Sequence, residues 1–321
     1  MRAAILGVVD GQAGYFRQAF EAAGLELAAT CGIKGHPSSG PEGLPTKAAY
    51  YPGQDELFSK EEKLDLVLVS GPPETRFKAA LLALENRVPA VCVPPFCSST
   101  TDFEALRAAA AANKLSLGAL QPWERTPAWG ALEKALTQRL LGDIFWAQAQ
   151  VLRAGPAPTG GETAADGWQA FAMLLAAVRL PPSALTARLL PASEQPAARA
   201  DSSGSFLVHF GGADGAAHVA AGFHADRVRV SAAGANGRLD LDGDLLHIDV
   251  KGVPPESVRY PAGLNGAGVR PELLAAELKD FLKEIKQELP AGSSLRNSRY
   301  CVKLMKNAYY SASLRSSAVP L

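Results

Sequence analysis

The chain has 321 residues, with 32 basic and 32 acidic side chains and a formal net charge of zero. Hydrophobic residues make up 47% and charged ones 20%, which excludes a disordered chain, because such chains lack apolar material and carry net charge. The balance also excludes the surplus of Lys and Arg on which nucleic-acid binding rests, and the length points to roughly two domains of about 100–200 residues each.

The N-terminal third alternates short apolar runs with helical patterns. Ala3 to Val8 predicts a buried strand, Phe16 to Ala23 a helix closed by Gly24, and Leu25 to Thr30 a second strand. A Gly/Pro/Ser-rich loop from Gly35 to Gly43 follows. Then come a strand over Leu64 to Val69, a helix from Thr75 to Asn86 and a strand over Ala90 to Val93. A helix from Thr101 to Asn113 and a strand over Leu115 to Leu120 complete the series. Continuous apolar strands alternating with helices build parallel sheets covered on both faces. Residues 1–120 are therefore expected to form an α/β Rossmann domain with a doubly wound parallel sheet.

Beyond residue 121 the character changes. A helix from Pro127 to Leu141 ends at Gly142, and strand patterns then dominate. They cover Ile144 to Val151, Ala184 to Leu190, Ser205 to Phe210, His218 to Phe223, Val228 to Ala233, Leu239 to Leu241 and Leu246 to Val250. A helix over Gly167 to Val178 interrupts them, and helices from Pro271 to Gln287 and Asn297 to Leu314 close the chain. Turn signals such as Asn236-Gly237 and Asp242-Gly243 favour antiparallel pairing. Residues 121–321 thus read as an α+β domain on a mostly antiparallel open sheet, with 191–204 as a flexible surface loop.

The apolar run before Asp10 is too short for a secretion signal. The longest apolar stretch, Phe171 to Val178, falls far below the ~20 residues of a membrane span. Four scattered cysteines (Cys31, Cys92, Cys97, Cys301) do not make a disulfide framework. A cytoplasmic protein without nucleic-acid or membrane partners is the expectation.

Several stretches, taken together, resemble one family. They are Asp65 to Val69 with Ser70-Gly71-Pro72-Pro73, Ala83-Leu84-Glu85-Asn86, and Val91-Cys92-Val93-Pro94-Pro95. Downstream, Leu140 to Ile144, Ala276 to Phe281 and Ala308 to Ala312 extend the match. Their order and spacing resemble the Gfo/Idh/MocA family of NAD(P)-dependent oxidoreductases, with its "TP", "ALEAGK" and "EKP" segments. The resemblance covers essentially the whole chain. It implies a nicotinamide cofactor, NAD or NADP, a sugar-like or polyol substrate, and a homo-oligomer, commonly a dimer, joined through the C-terminal sheet.

Dinucleotide folds rest the pyrophosphate on a helix N-terminus, and glycines keep Cβ atoms out of its way. This chain offers Gly7, Gly11 and Gly14, with Val9 and Gln12 where the G-x-G-x-x-G spacing places glycine and Asp10 close to the phosphate position. Either the loop is two residues longer, so that Gly11 and Gly14 serve as second and third glycines, or the site is lost. The first reading makes Gly7, Gly11, Gln12 and Gly14 the cradle. The resemblance implies that Pro72 and Pro95 shape the nicotinamide site. The ribose-binding acid is replaced by Thr30-Cys31-Gly32, and Lys34 or His36 would favour a 2′-phosphate.

In the family's usual chemistry a Lys and a His handle protons. Here Pro94 stands at the Lys position, Gln169 at the His position, Ala172 at an Asp position and Arg76 at the histidine after "TP". Gln169 can orient a hydroxyl but cannot move a proton. Asp166, Glu124, Arg125 and Arg76 are candidates for a rebuilt site, and the rival reading is a non-catalytic binding or partner subunit that keeps the fold. Trp123, Trp129, Trp146 and Trp168 either stack on a sugar or cover core and interface surface. Cys92 and Cys97 read as buried thiols, with no zinc set. His218 and His224 are expected on one polar strand face. No metal site is expected.

Overall fold

The computed structural model describes residues 1–8, 12–32, 48–158, 160–191 and 200–321. Gly11, Asp10, Lys34, His36 and most of the expected 191–204 loop therefore lie outside the described residues. The chain forms two compact units. Unit 1 comprises Met1–Pro122 and Gly268–Arg296, and unit 2 comprises Trp123–Ala267 and Asn297–Leu321. The return of Gly268–Arg296 to unit 1 concerns a segment that pattern reading assigned to the second domain.

Unit 1 alternates strands and helices: β1 (Arg2–Leu6), α1 (Ala13–Ala23), β2 (Glu26–Cys31), β3 (Ala49–Tyr51), α2 (Gln54–Lys60), β4 (Leu66–Val69), α3 (Pro73–Glu85), β5 (Ala90–Cys92), α4 (Thr100–Asn113) and β6 (Leu117–Ala119). The six strands pair in parallel in the order β3-β2-β1-β4-β5-β6. All four residues of β4 and all of β5 are buried, as a parallel sheet covered on both faces requires. The helix Pro271–Ile285 joins this unit because its apolar stripe, with Leu274, Leu278 and Phe281, shares a core with Phe16 and Phe20 of α1 and Ile5 of β1. Two elements of this unit, β3 and α2, fall where no element was expected, as do the short strands Glu256–Arg259 and Val319–Pro320 of unit 2. Neither β3 nor α2 offers an apolar run, and α2 buries only Leu57.

Unit 2 continues with α5 (Pro127–Thr137), β7 (Ile144–Ala154), α6 (Glu162–Val178), β8 (Pro182–Pro191), β9 (Asp201–Phe210), β10 (Asp214–Phe223), β11 (Arg227–Gly234), β12 (Gly237–Asp242), β13 (Leu245–Val250) and β14 (Glu256–Arg259). With Pro271–Ile285 as α7, the last elements are α8 (Ser298–Ser313) and β15 (Val319–Pro320). The strands form one nine-stranded sheet in the order β14-β13-β12-β11-β7-β10-β9-β8-β15. Every pairing is antiparallel except β10 with β7. Along β7, Ala147, Ala149 and Val151 are buried and Trp146, Gln148 and Gln150 are half-buried, the alternation of a sheet with one packed face. Helices α6 and α8 cover that face.

Two local expectations are corrected. Helix α6 begins at Glu162, not Gly167, because the carboxylate of Asp201 on β9 accepts from the Thr163 N–H at 2.8 Å and from its hydroxyl at 2.6 Å. That cap from another element starts the helix five residues early. Gly161 just before it has φ +97°, and a Cβ there would strike the Asp201 carboxylate. His218 and His224 do not share a strand face. The register slips between Ala220 and Phe223, and His224 follows the strand end as an exposed residue.

Among the described residues, no helix is long and apolar enough to cross a membrane.

Candidate functional site

In unit 1 the direction of strand succession reverses between β1 and β4. Such a switch point opens a crevice at the C-terminal ends of the strands, where open α/β sheets bind ligands. Gly7 follows β1 there with φ +83°, and its N–H donates to the Cys31 carbonyl at 3.0 Å. Ser70-Gly71-Pro72 follows β4. Gln12 is the N-cap of α1, and its side-chain amide oxygen accepts from the Ser70 hydroxyl at 3.4 Å instead of capping the helix. The first turn of α1 therefore has no side-chain cap, and it contains no acid.

Gly14 lies in that first turn. A Cβ built on it would meet no heavy atom within 4 Å, so the protein's own packing does not demand glycine there. Close approach of a phosphate does. An uncapped helix start, free of acids and open above Gly14, fits the pyrophosphate of a dinucleotide. The end of β2 offers no carboxylate for a ribose. Thr30 is buried with its hydroxyl unpartnered, Cys31 is buried with its thiol pushed up to about 12 by loss of solvent, and Gly32 donates its N–H to the Tyr51 carbonyl.

Arg76 on α3 is placed differently from a proton-transfer group. Its Nε donates to the Gly71 carbonyl at 2.8 Å, and one Nη donates to the carbonyls of Pro94, Pro95 and Val93 at 2.9, 3.1 and 3.2 Å. Burial lowers its pKa to about 10, still far above neutrality. The guanidinium ties the loop after β4 to the loop after β5. Pro72 is the N-cap of α3, and Pro95, joined to Pro94 by a cis peptide bond, is buried. Pro94 brings no ionisable group to this loop.

In unit 2 the candidates gather on α6. Glu162, Asp166 and Gln169 stand at i, i+4 and i+7, one stripe of the helix. Arg153, near the end of β7, reaches both acids. Its Nη2 lies 2.6 Å from Asp166 Oδ1, and its Nε lies 3.5 Å from Glu162 Oε1. Glu162 is fully buried, with no hydrogen bond to either carboxyl oxygen, whereas the Arg153 side chain is 39% exposed. Burial first, and the Asp166 carboxylate second, push the Glu162 carboxyl up to about 8. Burial opposes the charge on Arg153, but the two acids hold its pKa above the ordinary value.

Glu162 and Arg153 were not among the expected residues. Glu162 and Asp166 both precede the expected helix start at Gly167, so their helical spacing to Gln169 shows only once the helix is seen to begin at Glu162. Gln169 is half-buried on the same stripe, and Ala172 is buried.

The other expectations sort by burial. Glu124 and Arg125 sit in a short 3₁₀ turn, half-buried and exposed respectively, and neither joins the Arg153 cluster. Trp123 and Trp129 are buried against each other, with ring centroids 4.5 Å apart, and Trp168 is buried too. These three are core, the second of the two readings, and Trp146 is half-buried on β7. All four cysteines are buried and free, their thiols raised by burial. His218 pairs through Nδ1 with the Ser205 hydroxyl at 3.0 Å, and burial lowers its pKa. Among the described residues, no group of His, Cys, Asp and Glu could hold a metal ion. A surface cavity of about 350 Å³ beside the β10–β11 turn contains Asp226 and Asp242. Both are committed, Asp226 to the Ala154 N–H and Asp242 to Arg227.

No protein-family model matches the chain, and no curated protein matches it. Solved structures do. GenD2 from gentamicin A biosynthesis, in complex with NAD, superposes with a TM-score of 0.81 at 18% identity, over 100% of this chain and 96% of that one. An oxidoreductase from Agrobacterium radiobacter, in complex with NAD+, L-tartaric acid and magnesium, gives 0.79 at 16% identity over 100% and 98%. A protein from Sinorhizobium meliloti 1021 assigned as a myo-inositol dehydrogenase gives 0.78 at 16% over 100% and 99%. These neighbours are oxidoreductases of the Gfo/Idh/MocA type. This chain has their fold.

Proposed function

We propose that the chain is an NAD(P)-dependent oxidoreductase of the Gfo/Idh/MocA type, acting on a sugar-like or polyol substrate. The observation that carries this reading is the first turn of α1. It stands at the β1/β4 switch point, uncapped and without acids, with open space above Gly14. A dinucleotide uses those three features together, and nothing in the packing of the described residues of unit 1 explains them. The two NAD complexes among the structural neighbours support the cofactor class, and the myo-inositol assignment supports the substrate class. Gly7, Gln12 and Gly14 then line the phosphate cradle, with Gly11 between them in the sequence assigned to the same role, and Pro72 and Pro95 border the nicotinamide.

Bound there, the dinucleotide supplies a hydride acceptor for a carbinol carbon. The protein must take the hydroxyl proton. Pro94 and Gln169 cannot, and Arg76 is spent on backbone carbonyls. Asp166, held by Arg153, is the carboxylate we assign to that proton, with Gln169 one turn along α6 to orient a hydroxyl. The same reading expects self-association through the outer face of the nine-stranded sheet, where Trp146 and Leu207 are incompletely covered.

The rival reading is a partner subunit that keeps the fold without the chemistry, and the commitment of Arg76 to four carbonyls favours it. Absorbance assays with NAD and NADP across a panel of polyols and aldoses separate the two. Turnover lost in Asp166→Asn, by about 100-fold or more, supports the enzyme. Dinucleotide binding without turnover on any member supports the partner subunit.

A further inference from the structure

Arg76 brings a positive charge into unit 1 that no bound acid neutralises. Its guanidinium joins Gly71, after β4, to Val93, Pro94 and Pro95, after β5, through four carbonyl oxygens at 2.8 to 3.2 Å. Carbonyl dipoles stabilise a cation and leave its charge in place. Among the described residues, no carboxylate of unit 1 forms an ion pair with it, and the stretches 70–73 and 93–96 contain no acid. The Cys92 thiol beside it is neutral, because burial raises its pKa. Glu74, exposed in the first turn of α3, is the acid whose charge reaches the guanidinium. The same loop holds the start of α3, where Pro72 is an N-cap without a side-chain cap, and a helix N-terminus adds partial positive charge.

Position gives that charge a consequence. A dinucleotide lies across the crevice of an open α/β sheet, with its two halves on either side of the switch point. With the pyrophosphate on α1, one half falls toward β2 and the other toward β4 and β5, whose C-terminal loops Arg76 joins. The oxidoreductase reading puts the nicotinamide in this second half, bordered by Pro72 and Pro95. An oxidised nicotinamide ring carries a positive charge and a reduced one does not. Like charges repel strongly where water is excluded.

We propose that Arg76 is a specificity-determining residue, whose charge makes the crevice of unit 1 favour the reduced dinucleotide over the oxidised one. The inference rests on the oxidoreductase reading and deepens it. Proton transfer is closed to Arg76 by its bonds to four carbonyls, but its field is not. Because it opposes the charge of an oxidised ring, Arg76 biases the bound couple toward the reduced form.

Isothermal titration calorimetry of the full chain with NAD and NADH, and with NADP and NADPH, tests this. The readout is the ratio of oxidised to reduced dissociation constants within whichever pair binds, so that a 2′-phosphate cancels. The ratio should favour the reduced form in the wild type and fall by about tenfold or more in Arg76→Gln. Arg76→Lys keeps the charge and should keep the preference, although it loses the fork of hydrogen bonds. Should Arg76→Gln fold poorly, Glu74→Gln takes its place: loss of this exposed acid spares the fold and should raise the ratio by about twofold. Equal affinity for the two forms in the wild type overturns the inference and leaves the oxidoreductase reading standing. So does a ratio that Arg76→Gln, or Glu74→Gln in its place, leaves unchanged, or one that falls equally in the Lys and Gln variants. Binding of none of the four dinucleotides overturns both.

Discussion

Arg76 stands where the family resemblance places a histidine, yet its guanidinium is committed to four carbonyl oxygens in two loops. A planar fork with several fixed donors can do this, whereas an ammonium on a flexible stem cannot. Replacing Arg76 by Lys should therefore cost about 2 kcal/mol, since several charge-assisted bonds to enclosed carbonyls are lost. Urea unfolding measures it, and an unchanged midpoint would refute the clamp. For Glu162, the sign of the pH dependence follows from a pKa raised from 4.5 to about 8 on folding. Between those values the folded state holds a proton that the unfolded chain releases. The contribution is complete below the unfolded value, declines as pH rises and is lost above about 8. The melting temperature of the wild type should accordingly fall by a few degrees relative to Glu162→Gln over that window, as scanning calorimetry would record. Single residues were the least legible part of the sequence. Position in a motif located Arg76, and a segment expected to face the cleft suggested Asp166, but neither disclosed what the side chain touches. The carbonyls that hold Arg76 lie 17 to 19 residues downstream, and the partner of Asp166 comes from β7. Glu162 fell outside the expected helix, so its spacing to Asp166 carried no meaning until the helix start was known.

Elements that bury an apolar stripe were legible, and those that do not were missed. Helices α1, α3, α4 and α6 to α8 all have such stripes. Strand β3 and helix α2 have almost none: β3 pairs with the edge of β2, and α2 buries only Leu57. The start of α6 depends on Asp201, some 38 residues downstream, so no local pattern reveals it. Asp201→Ala should cost about 1–2 kcal/mol by removing that cap, with the loss read from chemical denaturation. Helix α1 makes the opposite kind of prediction. Glycine is a poor helix residue, and a Cβ at Gly14 meets nothing. Gly14→Ala should therefore stabilise the protein by about 0.5–1 kcal/mol. A destabilising result would mean that glycine serves the fold at this position, which would remove the case for a ligand above it.

At the scale of the whole molecule, the order of strands and helices was readable because each unit repeats one pattern: βαβ in unit 1, and alternating half-buried strands in unit 2. What pattern could not disclose is the discontinuity of unit 1. Periodicity identifies an apolar stripe on α7 but not its partner, and α7 lies about 250 residues from the α1 surface that it covers. Leu278, wholly buried in that shared core, makes the dependence measurable. Leu278→Ala should destabilise unit 1 by about 2–5 kcal/mol. Because the same core holds α1 in place, dinucleotide binding should weaken with it. That binding is the measurement that bears most directly on the functional reading: fluorescence titration of the wild type and Gly14→Val with NADH and with NADPH. The expected result is saturable binding of at least one dinucleotide by the wild type, lowered at least about tenfold in a Gly14→Val protein that remains folded. No saturation with either dinucleotide, or equal affinity in the two proteins, would contradict the account.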